Sequence, residues 1–137
     1  MRLQGLKCVV TGGASGIGAA TARRFAGEGA EVCILDRDLP GAQALALELG
    51  QDHFAVELDV RLEPAVEQAA GEVYTRWGHI DVLVNNAGSS HKPSSACFFT
   101  NAFTTEATQF ALIVGLSMHN HGVWMPFWRV FSIPRKT

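Results

Sequence analysis

The sequence is poor in features that would direct its assignment at once: it has one tyrosine, three cysteines and no excess of basic residues. The formal net charge of −2 offers no basic field, so we expect no nucleic-acid partner. No two cysteines stand in a Cys-x-x-Cys spacing, which favours reduced thiols and a cytoplasmic location. Cys8 and Cys33 lie in apolar runs, where a thiol usually serves as a small hydrophobic side chain.

Long apolar segments are also missing. Residues 107–128 carry no acidic or basic side chain, but histidines, a glycine and a proline interrupt them. The longest uninterrupted piece, FALIVGLSM, is about half of the ~20 residues that a helical span needs. We therefore predict no membrane segment and interpret this piece as one buried strand. The N-terminal MRLQGLK lacks the apolar region of a signal peptide, in keeping with the expected cytoplasmic location.

Residues 1–88, in contrast, alternate between short β-branched runs and alanine-rich stretches with helical spacing. The predicted strands are Lys7–Gly12, Glu31–Asp36, His53–Val60 and Ile80–Gly88. The predicted helices between them are GIGAATARRFAGEG, LPGAQALALELG and RLEPAVEQAAGEVYTRWG. Continuous apolar runs indicate strands buried on both faces, so we predict an α/β fold: a Rossmann-like parallel sheet of about four strands with helices on both faces.

Local signals place the helix boundaries. Gly29 and Gly50 stand where a glycine is expected to end the first two helices, and Pro64 stands in the first turn of the third. One apolar stripe of the first helix is expected to face the sheet, and it comprises Ile17, Ala20, Thr21 and Phe25.

The stretch VTGGASGIG, Val10 to Gly18, places four glycines between the first strand and the first helix. Gly12 permits a tight turn, Gly16 lets backbone N–H groups approach a pyrophosphate, and Gly18 lets the helix pack closely. The helix N-terminus then offers unpaired N–H groups to an anion. Asp36, at the end of the second strand, can accept hydrogen bonds from ribose hydroxyls. The alternative is a glycine-rich turn that binds no ligand.

Three motifs in this order resemble the short-chain dehydrogenase/reductase family: TGGASGIG, the Leu58–Val60 triplet LDV, and NNAG at Asn85–Gly88. The resemblance covers residues 1–88 and implies an NAD(P)-dependent oxidoreductase acting on CH–OH or C=O groups. It implies that Asp59 and Val60 bracket the adenine, with the Asp59 side chain at its exocyclic amine, and that loop N–H groups hold the pyrophosphate. The implied cofactor-binding residues are Thr11, Gly12, Ser15, Gly16, Ile17, Gly18, Asp36, Arg37, Asp59, Val60, Asn85, Ala87 and Gly88.

The resemblance also implies a preference between cofactors. Asp36 would repel a 2′-phosphate, so NAD is favoured over NADP. Arg37 blurs this preference, because a basic residue at that position can meet a 2′-phosphate in some family members. The asparagines of NNAG are expected, in addition, to tie the fourth strand to neighbouring loops.

The family's catalytic tyrosine, with a lysine four residues later, has no counterpart in these 137 residues. Tyr74 is followed at that distance by Gly78, and it lies in the third predicted helix, where we expect it to pack near Trp77. We therefore assign no catalytic residue. A zinc site built from His119 and His121 with His91 or Cys97 is possible chemistry, but no recognisable spacing supports it, so no metal is predicted.

Residues 89–137 differ from residues 1–88 in charge and in aromatic content. Their net charge is +3 against −5, and they hold eight aromatic residues against four. We predict an irregular or non-homologous tail without the family's usual oligomer interface. Either FALIVGLSM forms a substitute strand beside the fourth strand, or the fourth strand is an exposed edge that favours aggregation. Three hypotheses follow: a truncated or frame-altered family member, a non-catalytic NAD-binding or partner-binding module, or an oxidoreductase with an unconventional site. No residue identifies the substrate.

Overall fold

The computed structural model describes residues 1–87 and two further strands, at residues 112–115 and 129–132. The strands are β1 Lys7–Thr11, β2 Glu31–Asp36, β3 Phe54–Glu57, β4 Val82–Asn85, β5 Leu112–Gly115 and β6 Arg129–Ser132. The helices are α1 Gly16–Gly27, α2 Leu39–Leu49 and α3 Glu63–Trp77. The four predicted strands and three predicted helices of residues 1–88 are thus confirmed, with β3 and β4 shorter than expected.

All six strands form one sheet in the order β3-β2-β1-β4-β5-β6. Strands β1 to β5 run parallel, and β6 runs antiparallel to β5. The predicted strand within FALIVGLSM is β5, which pairs in parallel with β4 through Leu83 and Ile113. Strand β4 therefore lies inside the sheet, and the sheet has two more strands than the about four we expected.

Helices cover both faces of the sheet, as predicted. On one face, Val9, Cys33, Leu35 and Leu83 pack with the buried residues of α3. On the other face, the alternate strand residues pack with α1 and α2: Cys8, Val10, Val32 and Ile34. Because neighbouring residues of a strand point to opposite faces, Cys8 and Cys33 belong to different halves of the core.

Both of these cysteines are fully buried and unbridged. Burial raises the pKa of the Cys8 thiol to about 12, with a smaller contribution from the charge of Asp81. Burial likewise raises the pKa of the Cys33 thiol. Because the thiolate is the reactive form, both side chains serve as small hydrophobic groups, which confirms the expectation for them.

The predicted stripe of α1 was wrong at Ile17 and Ala20, whereas Phe25 packs against the core as expected. The buried residues of α1 are Gly18, Ala19 and Ala22, whereas Ile17 is 58% exposed and Ala20 is also exposed. A side chain larger than alanine would hold α1 away from the sheet, so the smallest residues, and not the most apolar ones, mark the contact face.

The helix boundaries agree with their signals. Gly29 follows the last turn of α1, Gly50 is the C-terminal cap of α2, and Pro64 stands in the first turn of α3. Among the residues that the structure describes, no helix is long and apolar enough to cross a bilayer.

Candidate functional site

The candidate site lies at the carboxyl edge of the sheet, where the parallel strands β1 to β4 end side by side. The glycine loop follows β1, Asp36 ends β2, Asp59 and Val60 follow β3, and Asn85 ends β4. In open parallel sheets ligands bind in the crevice outside this edge. The topology therefore brings together the described members of the predicted cofactor-binding set.

Thr11 joins the loop after β1 to the chain after β4. Its buried hydroxyl oxygen accepts hydrogen bonds from the backbone N–H groups of Asn86 (3.1 Å) and Ala87 (3.0 Å), and it donates to the Val84 carbonyl oxygen (3.4 Å). The Asn86 side chain donates to the Gly12 carbonyl oxygen at 3.2 Å. The role expected for this asparagine as a tie between β4 and the loop is thus present in the structure, and the Thr11 hydroxyl is engaged within the protein.

The glycine loop is packed tightly at one end and open at the other. A methyl group on Gly12 would lie 3.0 Å from the Ala87 Cα atom, and one on Gly18 would overlap the Gly12 carbonyl oxygen. Position 16 also favours glycine, because its φ is +57°, but no atom of the described residues lies within 4 Å of where a Cβ would stand. The loop thus leaves clear space over Gly16, beside the start of α1.

The first turn of α1 presents backbone donors to this space. Ser15 is the N-terminal cap, and its side chain makes no capping hydrogen bond. The first turn contains no acidic residue. Unpaired N–H groups and the positive end of the helix dipole favour an anion at such a position, so the open surface fits a pyrophosphate.

Asp36 holds the loop in place. Its Oδ2 atom accepts a hydrogen bond from the Ala14 backbone N–H at 3.0 Å, and its Oδ1 atom accepts from the Asp38 N–H at 3.0 Å. A carboxylate has about four lone-pair positions, so acceptor capacity is left for ribose hydroxyls. Arg37, directly after it, is exposed.

Asp59 carries a partner that the sequence did not suggest. The Arg61 side chain forks onto its carboxylate, with Nε donating to Oδ1 at 2.9 Å and Nη2 donating to Oδ2 at 2.6 Å. The Arg61 backbone N–H also donates to Oδ1, at 3.0 Å. These hydrogen bonds from Arg61 lower the pKa of Asp59 to about 2. The only sequence signal for this pair is the two-residue separation of opposite charges.

Asn85 is the most unusual residue of this edge. It is 6% exposed, and its Oδ1 atom is a buried side-chain acceptor without a hydrogen-bond partner among the residues that the structure describes. A buried acceptor of this kind calls for a donor. Ala87 is partly buried beside Gly12, Val60 packs at the rim of the α3 half of the core, and Gly88 lies outside the described residues.

The other residues considered from the sequence do not join this site. Tyr74 is half-buried in α3 and packs against the core, as expected, and Trp77 lies in the same cluster. Within residues 1–87 and the two further strands, no three metal-ligating side chains form a group. The candidate zinc ligands His91, Cys97, His119 and His121 lie outside the described residues.

Comparisons with known proteins agree with this fold. The family described as short chain dehydrogenase matches residues 7–112. Sorbitol dehydrogenase of Cereibacter sphaeroides is 45% identical over 87 residues, which are 64% of this chain and 34% of that protein. Momilactone A synthase of Oryza sativa subsp. japonica is 44% identical over 117 residues, which are 84% of this chain and 41% of that protein.

A solved structure is also similar. A metagenomic short-chain oxidoreductase in complex with NADP superposes with a TM-score of 0.68 at 30% identity, covering 75% of this chain and 57% of that one. The matched part of the present chain thus covers 34% and 41% of the length of these two curated relatives. The similarity continues past Gly88, where we expected it to end, and takes in part of the predicted tail.

Proposed function

Because this chain belongs to the short-chain dehydrogenase family, we propose that residues 1–87 bind a nicotinamide dinucleotide at the carboxyl edge of the sheet. The observation that carries this proposal is the clear space over Gly16, flanked by the unpaired N–H groups of α1 and by the fixed carboxylate of Asp36. The chemistry that such a cofactor supplies when bound is hydride transfer.

Different residues of the site contact different parts of the cofactor. The N–H groups of the first turn of α1, with Ser15 and Ile17 beside them, hold the pyrophosphate. Asp36 accepts the ribose hydroxyls and favours NAD over NADP, while Arg37 is the residue that could admit a 2′-phosphate. Asn85, whose Oδ1 atom has no partner among the described residues, and Ala87 line the riboses.

For the whole protein, the family supports an NAD(P)-dependent oxidoreductase acting on CH–OH or C=O groups. The 137 residues contain no tyrosine followed four residues later by lysine, the pair that the family uses as proton donor. The proposal is therefore that this chain keeps the cofactor-binding part and does not turn over an alcohol by itself. The part of the chain past residue 112 would be the product of an altered reading frame, and a Tyr-x-x-x-Lys motif in another frame past this residue would support this.

The missing tyrosine–lysine pair also favours a second function, a non-catalytic NAD-binding module. Both hypotheses expect the chain to bind the cofactor. They differ in whether another reading frame encodes the catalytic tyrosine and lysine. NAD reduction with a panel of alcohols addresses both, because each reading expects binding without turnover. Turnover that His119→Ala abolishes would instead support a site built from the tail histidines.

Binding itself is tested by calorimetric titration of the full chain with NAD and with NADP. We expect saturable binding, tighter for NAD, and a loss of at least about tenfold in Gly16→Ala, because a Cβ there fills the pyrophosphate space and strains a positive φ. The matched control is Gly71→Ala, in α3, where a Cβ meets nothing within 4 Å. Absence of saturable binding, or wild-type affinity in Gly16→Ala, contradicts the proposal.

A further inference from the structure

The ion pair of Asp59 and Arg61 lies after the end of β3, next to the predicted adenine position. Both residues are outside regular secondary structure, between β3 and α3. The Arg61 side chain is 56% exposed and the Asp59 side chain 22% exposed. The pair joins residues two positions apart in one loop, so its fork fixes the Asp59 carboxylate locally, and a role in shaping the site is the more informative interpretation.

The donors of Arg61 nearly fill the Asp59 carboxylate. Oδ1 accepts two N–H groups, from the backbone and from Nε, and Oδ2 accepts one, from Nη2. Of the about four lone-pair positions of a carboxylate, the one left is on Oδ2. The planar guanidinium fork also fixes the plane of the carboxylate, which a point charge would not do.

We propose that Arg61 is a positioning residue, whose fork turns the single remaining lone pair of Asp59 Oδ2 toward the exocyclic amine of adenine. This inference rests on the proposed function. The contact of Asp59 with this amine is implied by the family resemblance. Arg61 adds the orientation of the carboxylate, so that selectivity for a purine with a donor at that position depends on the fork and not only on the charge of Asp59. The low pKa of Asp59 agrees with this role, since the carboxylate stays ionised and able to accept hydrogen bonds throughout the ordinary pH range.

The test compares NAD with nicotinamide hypoxanthine dinucleotide, in which a carbonyl oxygen replaces the adenine amine. The two cofactors share the pyrophosphate, both riboses and the nicotinamide, so their affinity ratio isolates the amine. Calorimetric titration of the wild-type full chain is expected to give a preference for NAD of about fivefold or more, the value of one net hydrogen bond.

Arg61→Gln is expected to lower this ratio about threefold or more while leaving the affinity for the hypoxanthine cofactor near the wild-type value. Arg61→Lys, which keeps the charge without the fork, is expected to restore little of the ratio. The matched control is Arg23→Gln, which removes the same kind of fork, onto Glu48 at 2.8 and 3.1 Å, between α1 and α2.

The outcomes separate the two proposals. A wild-type chain that binds neither cofactor overturns the proposed function and this inference together. A wild-type ratio near one, or an unchanged ratio in Arg61→Gln, overturns the inference alone. Equal losses for both cofactors in Arg61→Gln would indicate a merely structural role and would also overturn it, as would full restoration of the ratio by Arg61→Lys.

Discussion

The sheet has an amino edge, where its parallel strands begin, and a carboxyl edge, where they end. Similar hydrogen bonds hold the loops at both edges, but the two edges differ in the polar groups and the space that remain available to a ligand. At the amino edge, Asp81 accepts from the Lys7 backbone N–H at 2.8 Å, the Lys7 side chain donates to the Trp77 carbonyl oxygen at 3.3 Å, and His53 accepts from the Val32 N–H. At the carboxyl edge, Thr11 and Asp36 make comparable ties, yet no described residue pairs with Asn85 Oδ1 or fills the space over Gly16.

This difference indicates where binding is expected. A cleft of about 350 Å³ opens at the amino edge, lined by Gln4, Gly29, Glu31, His53 and their neighbours. Size alone would make it a candidate site. Among the described residues, however, the unpaired Asn85 Oδ1 atom and the N-terminus of α1 lie at the other edge, and an unsatisfied buried polar group is a more specific indicator of a ligand than the volume of a cleft.

Gly18→Ala, at the carboxyl edge, is expected to cause the largest loss of stability. A methyl group there would overlap the Gly12 carbonyl oxygen and lie 2.6 Å from Asn86 Nδ2, so α1 has to shift away from the loop. We expect a loss of about 3 kcal/mol in the free energy of unfolding, measured by denaturant titration. Gly27→Ala, in the same helix with no atom within 4 Å of its Cβ, is expected to be neutral or stabilising by up to about 1 kcal/mol. Equal effects of the two substitutions on stability would show that the loop and α1 accommodate a methyl group at position 18, and would contradict this prediction.

A smaller effect is expected from Thr11→Val, which keeps the shape of the side chain and removes its hydroxyl. The N–H groups of Asn86 and Ala87 then lose their acceptor at a partly buried position. We expect a loss of about 2 kcal/mol in the free energy of unfolding, together with weaker NAD binding. Thr75→Val is the control, because the Thr75 hydroxyl bonds only to the Gly71 carbonyl on an exposed helix face. A stability change within 0.5 kcal/mol for Thr11→Val, roughly the scatter of surface substitutions, would remove Thr11 from this account.

How far the sequence predicts this architecture depends on how local each signal is. The strand that ends at Asp36 and the cap at Gly50 follow from neighbouring residues, and both were predicted correctly. The contact face of α1 was mispredicted, because hydrophobicity does not reveal that Gly18 and Ala22 are chosen for their small volume.

Longer-range features were harder to predict. The pairing of β5 with β4 joins residues as distant as Val84 and Val114, and we could offer it only as one alternative to an exposed edge. The antiparallel strand β6 gave no signal that we recognised. Arg61 was missed because its contact with Asp59 depends on the backbone path after β3, which the charge pattern does not determine.

The smallest expected effect belongs to the amino edge and depends on pH. His53 Nδ1 accepts the Val32 N–H at 3.1 Å, and partial burial lowers the His53 pKa below its ordinary value of 6.5, against the opposing charges of Asp52 and Glu31. The unfolded chain therefore binds the proton more readily than the folded one. The stability contributed by neutral His53 is present above pH 6.5 and is lost as the pH falls from there through the folded-state pKa.

The matching variant is His53→Asn, whose Oδ1 atom can accept the same hydrogen bond without titrating in this range. Denaturant titrations between pH 7.5 and 5 are expected to show wild type losing stability relative to this variant by less than about 1 kcal/mol, the net worth of one hydrogen bond. The NAD affinity of the two proteins should change in parallel with pH, because His53 lies at the edge away from the proposed site. A pH-dependent difference in NAD affinity between them would show that His53 at the amino edge influences the proposed site, and would contradict this prediction.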